Sequence, residues 1–249
     1  MRLSTHVTLR EATIAGEHIV WDDVRLEEPA PDLFDAGWWQ ARDALRGEAE
    51  GRGTAHFVTG IDGTPWVLRH NRRGGALATL NPDRFLYTGR ERARPVREIR
   101  LLATLRDREL PVPAPVAARV NASLGIYRGD LITVQIPDSV PLADRLAEAP
   151  LPSTAWQELG CTLARFHRAG VWHADLNARN VLVDGDDGFH LIDFDKARLR
   201  KPGKWREANI ARLHRSLDKF RSASMRFNFL DANWAALRGG YTSVFAAGL

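Results

Sequence analysis

At 249 residues, with 44 % hydrophobic and 27 % charged positions, the chain has the length for one large domain or two small lobes and is too apolar to be disordered throughout. Its single cysteine, Cys161, excludes an internal disulfide, and no run of about 18 apolar residues exists that would cross a bilayer. The net charge is a modest +4, but nearly all the positive charge is arginine, and no lysine precedes Lys196.

The N-terminus, Met1-Arg2-Leu3-Ser4-Thr5-His6, lacks the apolar core of a signal peptide, so the chain is expected to stay in the cytoplasm. Residues 17–28 alternate weakly, as an early strand would. A tight turn is expected at Gly51-Arg52-Gly53-Thr54. Phe57-Val58-Thr59 and Trp66-Val67-Leu68-Arg69 read as two strands around Asp62-Gly63, a strong hairpin signal. Arg84, Arg90, Arg92, Arg94, Arg97 and Arg100 concentrate positive charge, as a patch facing phosphates or an anionic membrane would, or as a solvated helix face. Residues 95–106 carry apolar side chains at helical spacing, with Pro95 suited to a helix start.

After a proline-rich stretch, 116–120 and 125–134 read as strands joined through Asn121-Ala122-Ser123, and Ile136-Pro137-Asp138-Ser139 as a linker. From there the chain turns mainly helical. Segment 142–148 is a short helix. Segment 153–169 is a longer one, with Ser153 as N-cap, Gly170 as stop and Cys161 as a buried structural thiol. Strands 181–183 and 189–193 flank Asp184-Gly185-Asp186-Asp187-Gly188, and 205–249 is helical in at least two pieces. Strands first and helices later predict an α+β protein of two lobes, 1–136 and 137–249.

The chemistry concentrates in His173-Ala174-Asp175-Leu176-Asn177-Ala178-Arg179-Asn180 and in Leu191-Ile192-Asp193-Phe194-Asp195. Asn180 precedes one short strand and Asp193 ends the next, so pairing of the two would bring them together. A carboxylate and an amide oxygen converging there suit Mg²⁺. Asp175, slightly upstream, is then placed to orient a hydroxyl nucleophile. This is the pattern of the protein-kinase catalytic loop and its metal-binding aspartate. The upstream half resembles the remaining kinase parts. Gly51 and Gly53, with Thr54, resemble the glycine-rich loop over the ATP phosphates, although His56 replaces the third glycine. Glu98 lies on the helix where kinases carry the glutamate that braces a phosphate-binding lysine. That lysine is missing, and Arg69 holds its strand position.

In its details the chain resembles one branch of this fold, the 3-deoxy-D-manno-octulosonic acid (Kdo) kinases, with lipopolysaccharide heptose kinases sharing the general plan. The resemblance runs from about residue 34 to the C-terminus. It is carried by Gly51-Arg52-Gly53-Thr54, Val67-Leu68-Arg69-His70 with Arg72-Arg73-Gly74-Gly75, Arg97-Glu98 with Leu101-Leu102, the two segments around Asp175 and Asp193, and Arg212-Leu213-x-Arg215-Ser216-Leu217. Asp195 in place of the usual glycine and Arg69 in place of lysine make the combination specific. The resemblance implies a bilobal protein-kinase-like fold, with a β-rich N-lobe and a mainly helical C-lobe. It also implies ATP and Mg²⁺ as cofactors, with Asp175 catalytic, Gly51, Gly53, Thr54, Arg69 and Glu98 on the nucleotide, and Asn180 and Asp193 on the metal. The implied acceptor is the 4-hydroxyl of Kdo on a lipid A precursor, reached by peripheral binding to the anionic cytoplasmic face of the bacterial inner membrane.

No Ala-Pro-Glu element follows Asp193, which favours a small or glycolipid acceptor over a peptide. An aminoglycoside- or choline-type phosphotransferase would be expected to show an acidic acceptor pocket instead. A pseudokinase would need a lost catalytic or metal residue, yet Asp175, Asn180 and Asp193 are all present. A nucleic-acid partner is not expected, because no recognition motif accompanies the arginines.

Overall fold

Alternating apolar residues dominate the first half of the chain and helical spacing the second. The computed structural model, which describes residues 6–50, 54–72 and 83–246, has strands and helices in the same order. The chain divides into two compact units, Met1–Glu109 with Pro113–Gln135, and Leu110–Val112 with Ile136–Leu249.

The first unit is built on one antiparallel sheet in the order β1-β2-β7-β8-β5-β4-β3. Its strands are β1 (Leu9–Ile14), β2 (Glu17–Asp22), β3 (Leu45–Glu50), β4 (Thr54–Thr59), β5 (Pro65–His70), β7 (Pro115–Ser123) and β8 (Ile126–Val134). A short β6 (Phe85–Leu86) adds to β8. Because side chains alternate across a strand, Trp66 and Leu68 of β5 join a core with Ile19, Trp21, Phe34, Trp39, Val58 and Ile132. A short helix, α1 (Ala36–Gln40), brings Trp39 into that core, and Arg69, next after Leu68 and so on the opposite face of β5, meets α2 (Arg94–Asp107) instead.

The β4–β5 hairpin is closed by the five residues 60–64. Gly63 N–H donates to the Gly60 carbonyl at 2.8 Å, and Gly63 sits at φ 76°, where glycine carries no steric cost. The β7–β8 hairpin corrects the expected connection. Asn121, Ala122 and Ser123 continue β7, and Leu124 (φ 49°) and Gly125 (φ 76°) make a two-residue turn. Two left-handed residues match the strands' twist, and leucine gave no hint of it.

The second unit carries β9 (Val140–Pro141), α3 (Leu142–Glu148), α4 (Ser153–Arg168), β10 (Val171–Trp172), β11 (Val181–Val183), β12 (Phe189–Leu191), β13 (Arg198–Leu199), α5 (Trp205–Ala223) and α6 (Asp231–Ala246). Two small sheets, β12-β11-β9 and β10-β13, frame the loops between them. Leu110–Val112 belong here because the Pro111 carbonyl accepts from Leu191 N–H at 3.0 Å. Ser153 is the first helical residue of α4 rather than its cap. The Pro152 carbonyl takes the first helical hydrogen bonds, from Ala155 and Trp156. Cys161 is half-buried, its thiol directed at the Gly240 carbonyl. Helices α4 and α6 cross at glycines. A Cβ on Gly160 would lie 2.0 Å from the Leu237 carbonyl oxygen, and one on Gly240 equally close to that of Gln157. The architecture is α+β and protein-kinase-like, a β-rich unit followed by a mainly helical one.

Candidate active site

In the second unit the chain leaves β10 at Trp172, makes the loop 173–180, and returns through the β11–β12 hairpin to Ile192-Asp193-Phe194-Asp195. The loop is tied mostly through its main chain. Asn177 and Asn180 each donate a side-chain N–H to the Asp175 carbonyl at 2.9 Å, and Asn177 Oδ1 accepts from Arg179 N–H. The Asn180 carbonyl accepts from Ile192 N–H at 3.1 Å. Pairing of β11 with β12 therefore places Asn180 and Asp193 at the same end of the hairpin, as the strand pattern predicts.

His173 locks the two segments from beneath. Its ring is buried, with Nε2 2.8 Å from the Ile192 carbonyl and Nδ1 3.2 Å from Asp175 N–H. Those partners require Nε2 to carry the proton and Nδ1 to accept. Burial lowers its pKa and keeps the ring neutral, against the pull of the Asp193, Asp175 and Asp195 carboxylates. Phe194 packs edge-on to the ring at 5.0 Å.

The chain of bonds continues inward. Asn209 on α5 donates to the His173 carbonyl at 2.6 Å, and its Oδ1 faces His173 N–H and His167 Nε2. His167 Nδ1 accepts from the Tyr241 hydroxyl at 2.7 Å. Burial holds the His167 imidazole down to about 4, with Arg206 and His173 pushing the same way and Asn209 and Glu207 opposing. Burial also pushes the Tyr241 phenol up to about 12.

This has a measurable consequence for stability. Below its ordinary value of 6.5, His167 binds a proton in the unfolded chain but not in the folded one. Stability should therefore fall as pH drops from 6.5 toward 4, by about 3 kcal/mol in total. Denaturant unfolding at pH 7 and pH 4.5 checks this. His167→Gln should lose clearly less stability over that interval than the wild type, and equal losses would contradict the assignment.

Helix α5 supplies groups that the sequence reading did not assign. Asn209, Arg212 and Ser216 recur at helical spacing beside the buried Leu213 and Leu217. Ser216 Oγ accepts from Ala178 N–H at 3.1 Å. Arg212 Nη2 lies 2.5 Å from Asp175 Oδ1. The available signal was the polar stripe on an otherwise apolar face, in the segment Arg212-Leu213-x-Arg215-Ser216-Leu217.

The donor set suits Mg²⁺ of a particular kind. The Asn180 amide nitrogen is committed to the Asp175 carbonyl, so its oxygen is the atom that could face a cation. Asp193 follows Ile192, which is anchored at both its N–H and its carbonyl, and it sits at φ 67°, an uncommon backbone state that Asp tolerates. Among the described residues no three His, Cys, Asp or Glu side chains form a cluster able to hold a metal ion. Mg²⁺ commonly takes one or two carboxylates and completes its shell with water and substrate phosphates, so an amide oxygen and one carboxylate are compatible with it.

In the first unit, Arg69 of β5 meets Glu98 of α2. Nη2 and Oε1 are 2.6 Å apart, the carboxylate 2 % exposed and the guanidinium 30 %. An arginine–glutamate ion pair thus joins β5 to α2. Thr54 opens β4, opposite Glu50. Gly51 and Gly53, and Arg73-Gly74-Gly75, lie outside the described residues.

The arginine cluster is partly engaged within the unit. Arg100 pairs with Glu91 and with Glu11, and Arg94 lies over the Phe85 ring at 4.4 Å. Arg84, Arg90, Arg92 and Arg97 are exposed. In the second unit Arg198 and Arg200 lie over Trp172. No described helix is long and apolar enough to cross a membrane.

Comparison with known proteins adds to this geometry. The sequence model of the lipopolysaccharide kinase (Kdo/WaaP) family matches residues 36–241. A 3-deoxy-D-manno-octulosonic acid kinase of Vibrio parahaemolyticus is 41 % identical over 205 residues, 82 % of this chain and 86 % of the relative. One of Photobacterium profundum is 38 % identical over 94 % of this chain and 98 % of its own length. One of Stenotrophomonas maltophilia is 43 % identical over 82 % of this chain and 81 % of the relative.

Proposed function

The chain belongs to the lipopolysaccharide kinase (Kdo/WaaP) family and is a kinase, and we propose that it transfers the terminal phosphoryl group of ATP to the 4-hydroxyl of Kdo on a lipid A precursor. The observation that carries this reading is the loop around Asp175, held through its main chain with the carboxylate partly exposed beside Arg212, in a chain whose relatives bear the Kdo kinase name. Asp175 takes the acceptor's hydroxyl proton as the new O–P bond forms. The bond from the γ-phosphorus to its bridging oxygen breaks, and ADP leaves with the electron pair. Asn180 and Asp193 hold Mg²⁺, which when bound neutralises phosphate charge. Arg69, braced by Glu98, and the backbone around Gly51, Gly53 and Thr54 contact the nucleotide.

The exposed arginines at 84, 90, 92 and 97, with Arg198, Arg200, Lys201 and Lys204, attract a phosphorylated, membrane-borne acceptor to a peripheral enzyme on the cytoplasmic face of the inner membrane. The acceptor panel is the test. Purified protein with ATP and Mg²⁺ should phosphorylate a Kdo-bearing lipid A precursor and leave an aminoglycoside untouched. The reverse preference would overturn the reading.

Arg69 gives a second check. Arg69→Ala should raise the KM for ATP and lower kcat, by about 10- to 100-fold in kcat/KM, the usual worth of a charge-assisted hydrogen bond. Arg69→Lys should keep only part of the activity, because lysine lacks the fork that reaches phosphate and Glu98 together. Full activity in Arg69→Ala would move the role to a neighbour such as Arg72.

A further inference from the structure

Arg212 reaches Asp175 from the exposed edge of α5, its guanidinium 46 % exposed and the carboxylate 17 %. Asp175 Oδ1, an oxygen needed for the hydroxyl proton, is therefore engaged by a cation. The Nε and Nη1 groups of Arg212 have no hydrogen-bond or ion-pair partner within the described residues, so the planar fork retains donors for a ligand.

The surrounding charge points the same way. Lys204, Arg215 and Lys219 fall on the face of α5 that Arg212 borders, a line about 22 Å long. All three are exposed and pair with no carboxylate among the described residues. The acids of the helix are matched elsewhere, Glu207 to Arg238 and Asp218 to Arg221. An anionic ligand guided along this stripe meets Arg212 at the catalytic loop.

We propose that Arg212 is a specificity-determining residue. It binds the carboxylate of the acceptor sugar and, in doing so, releases Asp175 Oδ1 to take the hydroxyl proton. The proposal rests on the Kdo reading, since an octulosonic acid carries its carboxylate on the sugar that bears the reacting hydroxyl. Exchanging one carboxylate partner for another keeps the Arg212 guanidinium paired while it frees Asp175, whose charge is then quenched by the hydroxyl proton. A neutral sugar, or water, has to break the Asp175–Arg212 pair without replacement.

The test compares wild type and Arg212→Gln on three acceptors: the Kdo-bearing lipid, the same lipid with the sugar carboxylate as its methyl ester, and the same lipid without its lipid A phosphates. The wild type should prefer the acid over the ester by about 10- to 100-fold in kcat/KM. Arg212→Gln should lose that much on the acid and treat acid and ester alike within about threefold. Arg212→Lys, which keeps a charge, should retain part of the preference. An active wild type whose acid-over-ester preference survives intact in Arg212→Gln overturns the proposal alone. So does a variant that loses its preference for the phosphates instead of the carboxylate. A wild type inactive on all three acceptors overturns the Kdo reading, and the proposal with it.

Discussion

Asp175→Asn is expected to lower kcat by about 10²- to 10⁴-fold, the usual worth of a general base, while ATP affinity stays within about twofold. The contacts that shape the loop around this residue use its backbone. The Asp175 N–H meets His173, and its carbonyl takes both Asn177 and Asn180. The substitution therefore leaves the loop standing. An amide of the same size also still offers an oxygen to Arg212. What it cannot do is take up the hydroxyl proton and carry the resulting charge change. Steady-state kinetics with the preferred acceptor, beside ATP titration of the same preparation, separates chemistry from binding. Retention of more than a tenth of wild-type kcat would remove Asp175 from the role of base.

The second large effect is expected at the metal. Asp193→Ala should weaken Mg²⁺-dependent ATP binding by about 100-fold or more, because a carboxylate is the strongest protein ligand available to a hard cation here. Asn180→Ala should weaken it less, since a neutral amide contributes less. The structure adds a second consequence for Asn180, whose side chain also holds the Asp175 carbonyl. Its removal should therefore lower kcat as well as affinity. Calorimetric titration of each variant with ATP at several Mg²⁺ concentrations checks the ranking. A greater loss of Mg²⁺-dependent affinity in Asn180→Ala than in Asp193→Ala would reverse the ligand assignment.

The fold was legible where its cause is local. The hairpin around Asp62-Gly63, helix α3 and the α2 helix behind Pro95 follow from turn chemistry and apolar period, and the structure has them. The placement of Asn180 and Asp193 at the same end of one hairpin was legible because the short strands that flank them pair. The Leu124-Gly125 turn was not, because leucine in a left-handed conformation is held by the strands it joins rather than by its own preference. Ser153 looked like a cap, but Pro152 before it already presents the carbonyl that opens α4.

The α5 partners of the catalytic loop were the least legible part. Asn209 meets His173 across 36 residues and Ser216 meets Ala178 across 38. Periodicity shows that such residues share a helix face, but not which loop that face receives. The same holds for His167, whose bonds to Asn209 and Tyr241 span 42 and 74 residues. Arg69 and Glu98 were paired beforehand only through the family resemblance. The 2.6 Å contact gives that pairing its physical basis.

Phosphoryl transfer from ATP to one sugar hydroxyl is readable in the position of the phosphate on the product. The purified protein should be incubated with ATP, Mg²⁺ and the Kdo-bearing lipid A precursor, and the product examined by mass spectrometry and proton–phosphorus correlation NMR. A gain of one phosphate is expected, coupled to the proton at carbon 4 of the Kdo ring and absent when Asp175→Asn replaces the wild type. An unchanged acceptor, or a phosphate placed on the lipid A portion, would contradict that transfer.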